Sequence, residues 1–582
     1  MSVNYMTFII GGEAGQGVES SGAGFAKALA RGGLHVFGLP DYRSRIRGGH
    51  NFFQIRVNTR PLYSHGGPAH LLLALTEEAV LRHREDIPAG GGVLYDPELA
   101  VDAGWLKAKG ILACPVPLGK IVKSAAGTRA MVNTAALGAA TGLTGYDFSK
   151  VAGVIEDNFR RKGQDVVDLN LKIAQAALDY VRTTFASSFD YRLEPVSGPP
   201  RMVVNGNQAF CLGALAAGCK FVAAYPMTPS TTIIEFMSAR AAPYGLVTKH
   251  TEDEIAAICM AIGAGHAGVR AMASTSGGGF SLMVEALGLA GMTEIPVVIV
   301  EAQRPGPSTG LATRTEQGDL LFLLHASQGE FPRIVLAPGT VEQCYEAGIR
   351  AFNLAERYQT PAIVVSDEFL AGAIRSVEKE AFDLSAATID RGQILSDAEL
   401  DALPGPYRRY QFTGSGISPR ALPGHPKAVY SATSDEHDEE GHITEEADIR
   451  ARMVEKRMRK LEAARQEMGA PETYGSPEAD ITFLAWGSTY GPLREAVDVL
   501  NCGGRKANLV HLVDIWPFPG EKVMAALSRS KCIVDVESNY SGQMASLLRM
   551  HTGIEVNARI LKYDGRAHSP DYILAHLPGE VK

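Results

Sequence analysis

Short apolar runs alternate along this chain with small-residue stretches at helical spacing. Residues 7–10 form an apolar run that enters Gly11-Gly12-Glu13-Ala14-Gly15-Gln16-Gly17, and residues 23–31 follow with the spacing of a helix. Residues 51–57 alternate as a second strand, after the basic stretch at residues 41–49. Residues 194–201, rich in Pro, Ser and Gly, read as a linker. Beyond it, strand-like runs occur at residues 221–224, 270–274, 297–300 and 362–365, with helical patterns such as residues 254–267 between them. Strands alternating with helices predict an α/β protein with parallel, doubly wound sheets and sites at the strand ends.

The rhythm breaks at residues 404–478, which are rich in Pro, Gly and charge. They contain the acidic run 434–442, whose His437 and His442 could be imagined as metal ligands. Its plainer reading is a solvated loop or subunit contact, and no metal site is assigned. A charged helix is expected over residues 444–468, with Glu445 and Glu446 at its positive end and Lys and Arg accumulating later. So polar a helix reads as an arm lying across a neighbour. A last α/β unit has strands at 481–486, 507–512 and 532–536 and a helix at 491–500. With 582 residues the chain exceeds one core, and the predicted segments are 1–193, 200–381, 382–478 and 479–582.

Composition narrows the function. The net charge of −8 argues against nucleic-acid or anionic-membrane binding. No apolar run approaches the ~20 residues that span a bilayer, and the N-terminal run reads as a strand, so a cytoplasmic protein is expected. The seven cysteines are scattered and never form a C-x-x-C pair. That pattern fits neither a disulfide framework nor an iron–sulfur site.

Several motifs carry candidate chemistry. The turn Tyr225-Pro226-Met227-Thr228-Pro229-Ser230 leaves the Thr228 hydroxyl free at a strand end, although alone it also reads as a Pro-shaped turn. Glu254 closes an acidic helix start and adjoins an apolar stretch, where a carboxyl would be partly desolvated. The run Ser274-Thr-Ser-Gly-Gly-Gly279 suits a phosphate or the close approach of a flat ring. Arg304 and Arg314 flank a Pro/Gly loop, and a guanidinium fork suits a carboxylate.

Taken together, YPMTPS, EDEIAAICMAIGAG, STSGGGFSLM, RPGPSTG, SDEHDEEGH and NYSGQ occur in the order that closely resembles the α-subunit of 2-oxoacid:ferredoxin oxidoreductases, particularly the 2-oxoglutarate branch. GGEAGQGV followed by YRSRIRGGH resembles the γ-subunit domain of that family, fused ahead of α. The resemblance implies a γ-type domain, a thiamine pyrimidine-binding domain and a transketolase C-terminal-like domain.

It further implies that Glu254 hydrogen-bonds N1′ of thiamine diphosphate, favouring the imino tautomer that generates the ylid. By the same resemblance Thr228 and Arg304 meet the 2-oxoacid, Arg314 is a second carboxylate candidate, and Tyr225 and Pro226 wall the pocket. Gly12, Glu13, Gly15, Gln16, Gly17, Ser44, Arg45 and Arg47 become candidates for coenzyme A, although Glu13 puts an acid where phosphate is expected. The chain has no G-D-G motif with a downstream Asn; Gly318-Asp319 lacks the second glycine. The resemblance assigns Mg2+, the cofactor's pyrophosphate and a [4Fe-4S] cluster to a β-subunit that passes electrons to ferredoxin, in an (αβ)2 assembly. The expected reaction is reversible conversion of 2-oxoglutarate and coenzyme A to succinyl-CoA and CO2, its reverse being the CO2 fixation of a reductive TCA cycle. Pyruvate, branched-chain or aryl 2-oxoacids are alternative substrates, and a non-catalytic scaffold that binds coenzyme A is the rival of a different class.

Overall fold

The computed structural model describes residues 2–43, 49–185 and 188–579. Ser44, Arg45 and Arg47 lie outside the described residues. The chain divides into two compact units, Met1–Asn205 with Gly372–Ala381 and Gly206–Ala371 with Phe382–Lys582.

The first unit is built on a sheet of eight strands among the described residues. Their order is Leu112–Pro115, Gly92–Tyr95, Leu71–Ala74, Met6–Glu13, His50–Asn58, His35–Asp41, Ile374–Glu378 and Arg201–Val204. The first four are parallel and the rest pair antiparallel, a departure from a wholly parallel sheet. The reason is local: His35–Asp41 and His50–Asn58 are joined by a short connection, which serves an antiparallel pair but cannot carry a crossover. Met6–Glu13 lies centrally and is buried up to its last residue, as expected of a strand covered on both faces. Arg201–Val204 and Ile374–Glu378, which fall within the predicted segment 200–381, thus extend the sheet of the first unit.

In the second unit a seven-stranded sheet runs Val247–His250, Phe221–Ala224, Ala271–Thr275, Val297–Gln303, Pro361–Asp367, Ile334–Leu336 and Asp514–Trp516. All pairs are parallel except the last. A five-stranded sheet runs Glu472–Gly475, Ala507–Leu512, Ile481–Trp486, Ile533–Glu537 and Ala558–Leu561, parallel except at its first edge. One buried core, containing Phe280, Ile299, Trp486, Val510 and Leu547, serves both sheets. The larger sheet reverses its winding beside Phe221–Ala224: the chain moves outward to Val247–His250, then returns to Ala271–Thr275 on the other side. In such sheets ligands bind in the crevice beyond the strand ends at that reversal.

The charged helix, Ala447–Glu467, is not an outlying arm. Its Lys456 and Lys460 are buried, and both ammonium groups donate to the buried carboxylate of Glu294. The acidic run is likewise more than a wet loop. Glu436 accepts two hydrogen bonds from Arg457 at 3.0 and 2.7 Å, and buried His437 packs its ring 4.0 Å from that of Tyr410. No helix among the described residues is long and apolar enough to cross a membrane.

Candidate active site

Three loops converge at the reversal point. The segment Tyr225–Ser230 leaves the strand Phe221–Ala224, Thr251–Asp253 leaves Val247–His250, and Ser276 leaves Ala271–Thr275. Asp253 caps the helix Glu254–His266 by accepting from the Ala256 N–H at 2.8 Å, which fixes Glu254 as the first helical residue. The neighbouring positions are apolar because this helix packs into the core through Ala257, Ile258 and Ala261. Glu254 is therefore buried, and its Oε1 has no hydrogen-bond partner.

Glycine brings the next helix against that carboxylate. In Gly277–Met292, a Cβ on Gly279 would stand 2.1 Å from Thr275 Oγ1 and 2.5 Å from Glu254 Oε1. A Cβ on Gly277 would stand 2.3 Å from Asp319 Oδ2. The glycine run is thus explained on two sides by close approach, and any side chain at 277 or 279 would displace a carboxylate. The buried hydroxyls of Ser274, near the end of the strand, and Ser276, just after it, also lack partners.

Arg304 follows the strand Val297–Gln303 and donates from Nη1 to the Thr228 carbonyl at 2.9 Å, while its Nε is buried without a partner. Burial pulls its pKa below the usual arginine range, and the negative charge of Glu254 opposes that shift. Thr228, Glu254 and Arg304 are thereby brought to one place. Thr228 is half-buried and precedes a cis peptide bond to Pro229. Tyr225 and Pro226 are exposed on this chain. Arg314 packs toward Gly565, with its Cβ 3.1 Å from the position a Gly565 Cβ would take.

Behind the glycine run lies a carboxyl cluster that the sequence did not reveal. Glu301 is wholly buried, and neither of its oxygens receives a hydrogen bond. Burial, reinforced by neighbouring Asp319, raises its pKa well above the carboxylate range. Asp319 is itself raised to about 6 by burial, and Glu316 to about 7 by burial and the charge of Asp319. The strand predicted at residues 297–300 continues through Gln303, whose side chain accepts from the Asp319 N–H at 2.9 Å. An acid inside an otherwise apolar strand was the signal available.

In the first unit the glycine loop is held closed by its own side chain. Gln16 Oε1 accepts from the Glu13 N–H at 2.8 Å and fills the space beside Gly12. Gly17, with φ 72°, precedes the helix Val18–Arg31. A cleft of about 510 Å³ is lined by Glu13, Gly15, Gly17, Tyr42, Asn51 and Phe52, among others. Gly12 and Gln16 are thus occupied within the loop, whereas Glu13, Gly15 and Gly17 face the cleft.

Residues 212–456 match the pyruvate flavodoxin/ferredoxin oxidoreductase thiamine diphosphate-binding family, residues 7–180 the pyruvate ferredoxin/flavodoxin oxidoreductase family, and residues 479–573 its core domain II. A 2-oxoacid:ferredoxin oxidoreductase subunit alpha of Saccharolobus solfataricus is 32% identical, over 98% of this chain and 96% of its own length. A 2-oxoglutarate oxidoreductase subunit KorA of Mycobacterium tuberculosis is 29% identical over 98% of this chain and 91% of its own. The solved 2-oxoglutarate:ferredoxin oxidoreductase of Magnetococcus marinus, with 2-oxoglutarate, coenzyme A and succinyl-CoA bound, superimposes with a TM-score of 0.92 at 31% identity, covering all of both chains.

Proposed function

Because this chain belongs to the 2-oxoacid:ferredoxin oxidoreductase family, as a thiamine diphosphate-dependent α-subunit, we propose that its complex converts 2-oxoglutarate and coenzyme A to succinyl-CoA and CO2 while reducing ferredoxin. In this reading a β-subunit supplies Mg2+, the grip on the pyrophosphate and a [4Fe-4S] cluster, and two αβ pairs assemble. The 2-oxoglutarate assignment is supported by the names of the Mycobacterium tuberculosis relative and the Magnetococcus marinus structure. Generic 2-oxoacid names among the archaeal relatives keep broader substrate use as a second reading.

The observation that carries the proposal is the buried Glu254 carboxylate, one oxygen of which has no partner, set against Gly279, where no side chain fits. These residues fit the pyrimidine end of thiamine diphosphate: a carboxylate for a ring N–H and bare backbone for a flat ring. When bound, the cofactor supplies the carbanion chemistry that releases CO2 from a 2-oxoacid. Glu254 would hold a proton at N1′ and so set, through the conjugated ring, the basicity of the amino nitrogen on its far side. Arg304, anchored by the Thr228 carbonyl, would direct its remaining N–H groups to the substrate carboxylate. Thr228 would orient the keto end. Glu13, Gly15 and Gly17 would border the coenzyme A site in the first unit.

The test is reconstitution with the β-subunit and assay of ferredoxin reduction on a panel of 2-oxoacids. We expect 2-oxoglutarate to give the highest kcat/KM and Glu254→Gln to lower kcat at least ~100-fold. Full activity of that variant would reject the site and favour a non-catalytic scaffold. Equal kcat/KM for pyruvate would favour the broader reading.

A further inference from the structure

Glu254 Oε1 and Thr275 Oγ1 share an unusual situation. Both are buried, and both press on the same glycine, 2.5 and 2.1 Å from where a Gly279 Cβ would be. The carboxylate oxygen has no donor. The hydroxyl has poor acceptors, Met227 Sδ at 3.9 Å and the adjoining Ser276 carbonyl at 3.4 Å. A donor without a good acceptor thus stands beside an acceptor without a donor. Leaving both unmatched is costly for buried groups, and because both atoms border the place of a Gly279 Cβ, rotation of either side chain brings them toward each other.

We propose that Thr275 is a positioning residue for the thiamine site: its hydroxyl donates to Glu254 Oε1, so that Oε2 is the oxygen presented to the aminopyrimidine. This rests on the assignment of Glu254 above and adds a second residue to it. Thr275 is the last residue of the strand Ala271–Thr275, so its Cβ is held by the sheet while Glu254 rides on a separate helix. The bond therefore ties the carboxylate to the sheet. It also favours the ionised carboxylate, the form that accepts from N1′. No covalent bond changes; the hydroxyl proton stays on Thr275 throughout.

The experiment uses the complex with the β-subunit, loaded with thiamine diphosphate and without 2-oxoacid. Exchange of the cofactor's C2 proton with D2O, followed by NMR after acid quench across pH, reports on Glu254 independently of turnover. Thr275→Val should slow exchange about tenfold, the worth of one hydrogen bond to a charged group, and move the acid limb of its pH profile upward. Thr275→Ser should restore both rate and profile, and cofactor affinity should change less than about threefold in either variant. A merely structural role would lower occupancy or thermal stability without moving the pH midpoint. Exchange in Thr275→Val within about twofold of the parent, at an unmoved midpoint, would overturn the proposal provided Glu254→Gln remains slow. Parent-like exchange in Glu254→Gln would overturn the Glu254 assignment as well. If Thr275→Val does not assemble, Thr275→Ala against Thr275→Ser decides the same question by the same midpoint.

Discussion

Lys456 Nζ lies 2.6 Å from Glu294 Oε1, and both side chains are sealed from solvent. Lys460 binds the other carboxylate oxygen, and the Arg409 guanidinium donates to the Glu294 carbonyl at 2.7 Å. Cations outnumber the acid, and burial draws Lys460 down to about 7. Removing Glu294 leaves like charges buried together, whereas removing Lys460 relieves an excess. Glu294→Gln should therefore cost about 3–5 kcal/mol, and Lys460→Met should be neutral or stabilising. Thermal unfolding of both variants checks the opposite signs.

Gly279→Ala should spare the fold and damage the site. Alanine favours a helix, and the atoms in its way belong to the side chains of Thr275 and Glu254, which can turn aside. Turning Glu254 aside should lower kcat by about 100-fold, the scale set by misplacing a reacting group by an ångström. Gly278→Ala meets only the Ser308 carbonyl at 3.7 Å and should leave thermal stability unchanged. Calorimetry beside turnover separates the two.

The carboxyls behind the glycine run predict a pH dependence. Glu301, Asp319 and Glu316 are all raised by burial, the last two to about 6 and about 7. A carboxyl raised on folding binds more protons in the native state, so its contribution is complete below the ordinary range near pH ~4 and fades as pH climbs through the raised values. Glu301→Gln holds a neutral group at every pH. Its Tm should exceed that of the parent at alkaline pH, and the gap should close under acid conditions. A gap that widens on acidification would refute the assignment of a buried neutral acid.

Arg304→Lys should raise KM for the 2-oxoacid by about tenfold to 100-fold, because a single ammonium cannot hold the Thr228 carbonyl and a carboxylate with the same fork. KM for coenzyme A should be unchanged. Steady-state titration of each substrate decides it.

Much of this was written locally in the chain. The strands Ile481–Trp486 and Ala507–Leu512 coincide with their predicted spans, since each is a mainly apolar run between polar breaks. Glu254 was legible as the residue where an acidic helix start meets an apolar stretch. The helix Ala447–Glu467 misled because its inward face, Met453, Lys456, Arg457, Lys460, Leu461 and Ala464, keeps helical spacing but carries cations where apolar residues are expected. The partner of Lys456 and Lys460, Glu294, is about 160 residues away, and no local pattern reports it. The raised pKa of Glu301 was hidden for the same reason: it comes first from burial and then from the nearby Asp319, and both arise only in the fold.

Ile374–Glu378 pairs between His35–Asp41 and Arg201–Val204 as an inner strand of the first unit's sheet, although some 170 residues of the second unit precede it in the chain. The polypeptide is thus stitched: it leaves one body, builds nearly half of another, and comes back to thread the first. A protease nick near residue 205 would sever one covalent thread and leave backbone hydrogen bonds gripping the returning strand, so the fragments should co-elute until a denaturant unzips them.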